Sequence, residues 1–410
     1  MFLVTKQKRE CFGCEACVQV CATNAITMKE DVEGFRYPAI DETKCVQCRE
    51  CNRVCPQEAC PPKHIDDKYV FGGFHNEAKT RFESTSGGAF SAIVDSYCDT
   101  NYVVFGAESH GLLVFHSYVF DKADIGKYRK SKYSQSVIGN SYKDVKQFLV
   151  SGKKVIFSGT PCQVAGLLAF LGSTNTENLL TVEVVCEGVP SPLYIRKLDE
   201  CLQRKYGKSI ETIDYRYTGR SLFFHGKWDF QVMKIALNEK KQVMLRDRWF
   251  NPFWSIWLDH LMSRPSCYKC LFTTAGRVAD ITLGDLWGVH LYCPELYGRN
   301  GGSSLVVCNT VKGKEVFKNA EILMQGHELR FEDALKYQSP MQKNISENSD
   351  REAFMMDLES NMEYQKLISK WAHHPSIKLL FQKYVWGNRQ KIFVWNLRKR
   401  ICRKRGRKNA

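Results

Sequence analysis

Before residue 60 the cysteines fall into two copies of one spacing, Cys11-x2-Cys14-x2-Cys17-x3-Cys21 and Cys45-x2-Cys48-x2-Cys51-x3-Cys55-Pro56. The chemistry this suits is a cubane of four irons. Two-residue gaps let three consecutive thiolates wrap one side of a cluster, and the fourth thiolate comes from elsewhere. In tandem runs of this kind the trailing cysteine serves the other cluster. One site is therefore assigned Cys11, Cys14, Cys17 and Cys55, and the other Cys45, Cys48, Cys51 and Cys21. Zinc knuckles pair two ligands at each turn, so triplets with a trailing fourth cysteine point to iron and sulfide instead. Cys60 lies outside the pattern and reads as a small buried hydrophobe.

Four further cysteines stand where a folded body would present them. Lys154-Val-Ile-Phe-Ser158 reads as a strand, Gly159-Thr160-Pro161 as a tight turn, and the apolar run from Cys162 to Phe170 as a helix. The same grammar returns in Leu180–Val185, Cys186-Glu-Gly-Val-Pro-Ser191 and a helix from Pro192 to Tyr206. In open α/β sheets ligands bind beyond the carboxyl ends of strands, and Cys162 and Cys186 both fall there. Cys267 and Cys270 form a Cys-x2-Cys pair between Pro265 and Gly276. On spacing alone two readings stay open: a third four-thiolate site, or two core cysteines beside a zinc half-site or redox pair.

Two other stretches carry polar chemistry. Ser84-Thr-Ser-Gly-Gly88 precedes an apolar helical run, an arrangement that suits phosphate binding and equally a plain turn or cap. Tyr128-Arg-Lys-Ser-Lys-Tyr-Ser-Gln-Ser136 mixes cations, amide and phenol, as a polar heterocycle with phosphates would require and as a solvated loop also shows.

Six motifs in order, Ser84–Gly88, Lys132-Tyr-Ser-Gln-Ser136, Gly159-Thr-Pro-Cys-Gln-Val-Ala-Gly-Leu167, Cys186-Glu-Gly-Val-Pro-Ser-Pro192, Ser266–Cys270 and Asp280-Ile-Thr-Leu-Gly-Asp-Leu-Trp-Gly288, resemble the coenzyme F-420 hydrogenase/dehydrogenase beta-subunit family, in the form with a ferredoxin module at the N-terminus. The resemblance runs from about residue 1 to 325. It implies FAD and an additional 4Fe-4S cluster in the body, held by Cys162, Cys186, Cys267 and Cys270. It places Ser86, Gly87, Gly88, Lys132, Gln135, Thr160 and Gln163 around the flavin, with Lys132 offsetting its negative charge. Glu187 stands where the family often has histidine. Asp280 and Asp285 flank a glycine turn and read as turn caps.

The elements that must position these residues set the architecture. The fold class expected is an α+β ferredoxin module followed by an α/β domain with a partly parallel sheet and a basic helical or disordered C-terminal tail. The domains are 1–65 (ferredoxin, two 4Fe-4S clusters), 70–325 (flavin and iron-sulfur), 326–363 (helical extension) and 364–410 (basic tail). The chain has 410 residues, 18 cysteines, 44% hydrophobic and 25% charged residues and a net charge of +15. Residues 364–410 hold fourteen Lys or Arg and no Asp or Glu, leaving +1 for the rest. A nearly neutral body argues against a nucleic-acid groove. With no export signal or apolar run long enough to span a bilayer, reduced thiols available to metals and a cytoplasmic location are expected. The tail interleaves Ile377, Leu380, Phe381, Val385, Ile392, Trp395 and Leu397 with basic residues, suiting peripheral contact with anionic membrane at the cytoplasmic face and equally a solubilising disordered end or nonspecific nucleic-acid contact. The functional expectation is an oxidoreductase moving electrons between FAD, a soluble coenzyme or redox partner protein, and the clusters. The alternatives are an electron-transfer subunit without substrate chemistry, serving a partner enzyme such as one of polysaccharide synthesis, and a metal-stabilised binding scaffold.

Overall fold

Between the two cysteine runs, β1 (Ile26–Glu30) and β2 (Arg36–Ile40) pair antiparallel with Ile26 opposite Ile40. This hairpin and the cysteine turns build the N-terminal module. The structure, a computed structural model, describes residues 1–65, 68–217, 232–238, 241–297, 302–387, 390, 393–394 and 397–398.

The body is an eight-stranded mixed sheet. In chain order its strands are β3 (Tyr69–His75), β4 (Tyr102–His110), β5 (Leu113–Val119), β6 (Lys154–Gly159) and β7 (Leu179–Val184), then β11 (Ile281–Asp285), β12 (Ser304–Cys308) and β13 (Met324–Glu328). The spatial order is β13-β3-β12-β11-β7-β6-β4-β5. The four central strands β4, β6, β7 and β11 run parallel to one another, and the outer pairings are antiparallel. Val155, Ile156, Phe157, Leu180 and Val182 are all buried. Their runs lack alternation because both faces are covered, as in other α/β sheets. A separate sheet of β8 (Ile210–Tyr217), β9 (Val232–Leu237) and β10 (Lys241–Asp247) is antiparallel, in the order β10-β9-β8.

Two helices leave the central strands as the local sequence dictates. In helix Pro161–Leu171 proline occupies the first turn, where its missing N–H costs nothing. Gln163 Oε1 accepts from the Thr160 backbone N–H at 3.0 Å, closing the N-terminal turn. Helix Pro192–Tyr206 starts in the same way: Ser191 Oγ accepts from Leu193 N at 3.2 Å, and Gly207 ends it in the left-handed conformation. The helical expectation from Pro192 to Tyr206 is met residue for residue.

The segment read as a helical extension from 326 begins inside β13, which pairs antiparallel with β3 from Met324 opposite His75. Periodicity could not separate this short, half-exposed edge strand from a helix start. Helices Arg351–Glu359 and Tyr364–Trp371 follow and pack Phe354, Met355, Leu358 and Leu367 into a core with helix Pro192–Tyr206. Ile392, Trp395 and residues 399–410 of the tail lie outside the described residues. Among those described, no helix is long and apolar enough to cross a membrane.

Candidate metal centres

The register of two adjacent strands brings Cys162 and Cys186 together. β6 and β7 are parallel, with Gly159 paired to Glu183, and each cysteine follows its paired residue by three positions at the carboxyl edge. The other two thiols arrive by backbone pairing. Ser191 N donates to Met262 O at 2.7 Å and Arg264 N to Val189 O at 2.8 Å, so the chain before Cys267 is pinned to the loop after Cys186. Gly188 permits the approach: its φ is +105°, and a Cβ there would stand 3.5 Å from Cys267 Cβ. A single-turn 3-10 helix, Pro265–Lys269, then separates Cys267 from Cys270.

All four cysteines line one cavity of about 250 Å³, together with Phe12, Arg264, Phe272 and Arg277. Burial pushes the Cys162 thiol up to about 12 and the Cys186 thiol up to about 11, and the neighbouring thiols add to both shifts. Cys267 is pushed well up and Cys270 up, by burial first in each case. Four half-buried thiols around one cavity, none in a disulfide, hold their protons unless a cation replaces them. Such a set fits a metal centre.

The N-terminal thiols form a second site of this kind. Cys11, Cys14, Cys17 and Cys55 line a smaller cavity of about 30 Å³ with Phe12, Gly13 and Pro56. Burial raises the thiols of Cys14, Cys17 and Cys55, and each also feels other cysteines of this group. Cys55 thus sits with the first run although it belongs to the second. The remaining cysteines of the second run lie nearer solvent: Cys48 is exposed, Cys45 and Cys51 half-buried. Cys51 feels both Cys48 and Cys45. Cys21 Sγ accepts from Ala25 N at 3.2 Å, and hydrogen bonds of this kind hold its thiol below the usual range against its own desolvation. Cys60 is exposed, which corrects the reading of it as a buried residue: its loop runs over the surface.

The module is bolted to the body around these sites. Gln135 Nε2 donates to Phe12 O at 2.7 Å, Tyr142 Oη to Cys14 O at 3.0 Å and Tyr142 N to Gln19 Oε1 at 2.9 Å. Helix Pro161–Leu171 lies directly against Cys14, where a Cβ on Gly166 would be 3.0 Å from its Sγ. Phe12 lines both cavities.

The residues assigned to a flavin by resemblance are brought side by side. Ser131 N donates to Thr85 Oγ1 at 2.7 Å, and Gln163 Nε2 to Ser136 Oγ at 2.9 Å, linking the three motif segments. Their polar groups are used within the protein. Ser86 Oγ donates to Ser303 O at 2.8 Å, and Gln163 Oε1 also accepts from Thr160 Oγ1 at 3.1 Å. Lys132 donates to the carbonyls of Tyr128, Arg129 and Lys130, and burial pulls its ammonium down to about 8. A Cβ on Gly87 would lie 2.3 Å from Gly73 O, so close backbone packing alone requires that glycine. Gly88, at φ +86°, starts helix Ala89–Tyr97.

Four residues at the sites escaped the spacing argument: Phe12, Glu183, Arg264 and Arg277. The visible signal was an arginine beside proline just before Cys-x2-Cys, at Arg264-Pro265. Asp285 is no turn cap: it pairs with the buried Arg216 at 2.6 Å. Asp280 Oδ2 accepts from Thr181 N at 2.9 Å and ties β7 to β11.

Residues 152–329 match the family model for the C-terminal part of the beta subunit of coenzyme F420 hydrogenase/dehydrogenase, and residues 10–59 match the 4Fe-4S dicluster domain. An uncharacterized polyferredoxin-like protein of Methanocaldococcus jannaschii is 32% identical over 75 residues, 15% of this chain. The chain spans 45% of that relative's length. A chain of the F420-reducing [NiFe] hydrogenase complex from Methanosarcina barkeri is 15% identical with a TM-score of 0.43, covering 76% of this chain and 93% of its own. The chain thus joins a segment that matches the 4Fe-4S dicluster domain to one that matches the C-terminal part of the beta subunit of coenzyme F420 hydrogenase/dehydrogenase.

Proposed function

We propose that this protein is an iron-sulfur electron-transfer subunit whose body holds a third 4Fe-4S cluster on Cys162, Cys186, Cys267 and Cys270, next to the two of the N-terminal module. The observation that carries the reading is the convergence of four thiols from three separate segments on one cavity that shares Phe12 and its neighbour Arg264 with the Cys11 site. Clusters of this kind supply one-electron transfer. The chain's own residues hold the thiols in place, enclose the two inner sites and leave the Cys48 end at the surface. A redox partner protein would meet the chain there.

Iron and sulfide analysis after anaerobic purification tests the assignment. Roughly twelve irons per chain are expected, falling by roughly four in Cys162→Ala or Cys270→Ala. An unchanged iron content in both variants sinks the body cluster.

FAD, and two-electron exchange with a soluble coenzyme, form the finer part of the proposal. What supports them is the contiguity of segments 84–88, 128–136 and 160–163 in the family's motif order. Flavin extracted from the same preparation decides between an enzyme with its own substrate chemistry and a carrier serving another protein.

A further inference from the structure

Arg264 is one of the largest fully buried side chains, 1% exposed. A buried guanidinium ordinarily answers a carboxylate, because an uncompensated charge in the interior is costly. Arg264 has no carboxylate partner among the described residues. Its Nε donates to Cys11 O at 2.9 Å, Nη1 to Gln135 Oε1 at 3.1 Å, and Nη2 to Arg36 O at 3.0 Å and Cys11 Sγ at 3.5 Å. The rings of Tyr37 and Phe35 lie 4.4 and 5.5 Å from it. The nearby carboxylate of Glu15 is already paired with Arg36 at 2.9 Å. On its other side Arg264 borders the cavity of Cys162, Cys186, Cys267 and Cys270. The anions its position can answer are therefore thiolates, and a four-thiolate site lies on each side of it.

We infer that Arg264 sets the order of reduction potentials, making the two inner sites easier to reduce than the outer site of Cys21, Cys45, Cys48 and Cys51, none of whose cysteines it contacts. The inference rests on the cluster reading above. Reduction adds one negative charge to a site removed from water, and a fixed cation beside it stabilises that charge. Burial alone would disfavour the reduced form, so the guanidinium offsets what burial imposes. Its planar fork makes four bonds at once, which an ammonium could not copy. Arg264 is thus a positioning and potential-tuning residue, not a ligand.

The test is a redox titration followed by electron paramagnetic resonance on the anaerobically purified full chain. In Arg264→Gln, the oxidised-to-reduced ratio of the inner signals at a fixed ambient potential is expected to rise about tenfold, with the outer signal unmoved as an internal control. Arg264→Lys keeps the charge without the fork and should give a smaller shift in the same direction. Where the glutamine variant does not load with iron, the lysine variant carries the test alone. Unshifted inner signals in an iron-loaded variant overturn the inference, as does an equal shift of all signals. An unsubstituted chain with no iron beyond the N-terminal module instead overturns the body-cluster reading.

Discussion

At the scale of single residues, the buried pair of Glu183 and Arg277 holds the edge of the body site. Glu183 is 0% exposed, and its Oε1 accepts from Arg277 Nε and from Thr282 Oγ1, the latter at 2.8 Å. Arg277 Nη1 also donates to Phe272 O at 2.7 Å. The pair thereby links the strand that delivers Cys186 to the loop that follows Cys270. Removing one charge leaves the other buried and unanswered, a loss of about 3–5 kcal/mol. Glu183→Gln should destabilise the chain by that amount in chemical unfolding. On the proposed body cluster, it should also lower the iron held there before it affects the N-terminal iron.

At the scale of elements, helix Pro161–Leu171 performs two tasks. Its first turn presents Cys162, and one turn later Gly166 lets Cys14 of the other module pack against its backbone. Tyr142 Oη, shared between Cys14 O and Gln163 O at 3.0 and 2.8 Å, locks that contact. A large side chain at Gly166 must drive the module away, because a Cβ alone already meets the cysteine at 3.0 Å. Overpacking of this kind typically costs about 1–3 kcal/mol. Gly166→Leu is expected to weaken the visible absorbance of the N-terminal clusters while helix content, read by circular dichroism, changes little.

At the scale of the whole molecule, the dicluster module is seated on the body and not tethered to it. Arg351 grips Glu33 at 2.8 and 3.0 Å, Arg196 pairs with Glu30, and Ser191 Oγ donates to Glu33 O at 2.6 Å. The C-terminal segment has a different surface. Ile377, Phe381, Val385, Trp386 and Phe393 are exposed within a segment that contains no acidic residue. Exposed aromatic and aliphatic groups among fixed positive charges suit an anionic lipid surface. The full chain should sediment with vesicles of phosphatidylserine and phosphatidylcholine at low salt, and a chain ending at residue 375 should not. Binding that survives about 0.5 M salt would argue against the electrostatic part.

The sequence by itself determined which cysteines are spaced to hold metal and the local elements around them. Two triplets with trailing cysteines leave little freedom in what they bind, and strand, turn and helix at 154–170 and 180–206 follow from patterning, proline and capping within a few residues. Tertiary structure decided which thiols meet. That Gly159 pairs with Glu183, and that residues 262–264 run beside 189–191, are long-range pairings without a local signature, yet they turn four scattered cysteines into one site. The same holds for Arg264: a lone arginine before a proline is common, and only burial without a carboxylate, between two thiol-lined cavities, gives its charge a role. The glycines at 87 and 88 show the converse. Their spacing suits a phosphate turn and a plain cap alike, and only the closed sheet shows that Gly87 packs against Gly73 and that Gly88 starts a helix.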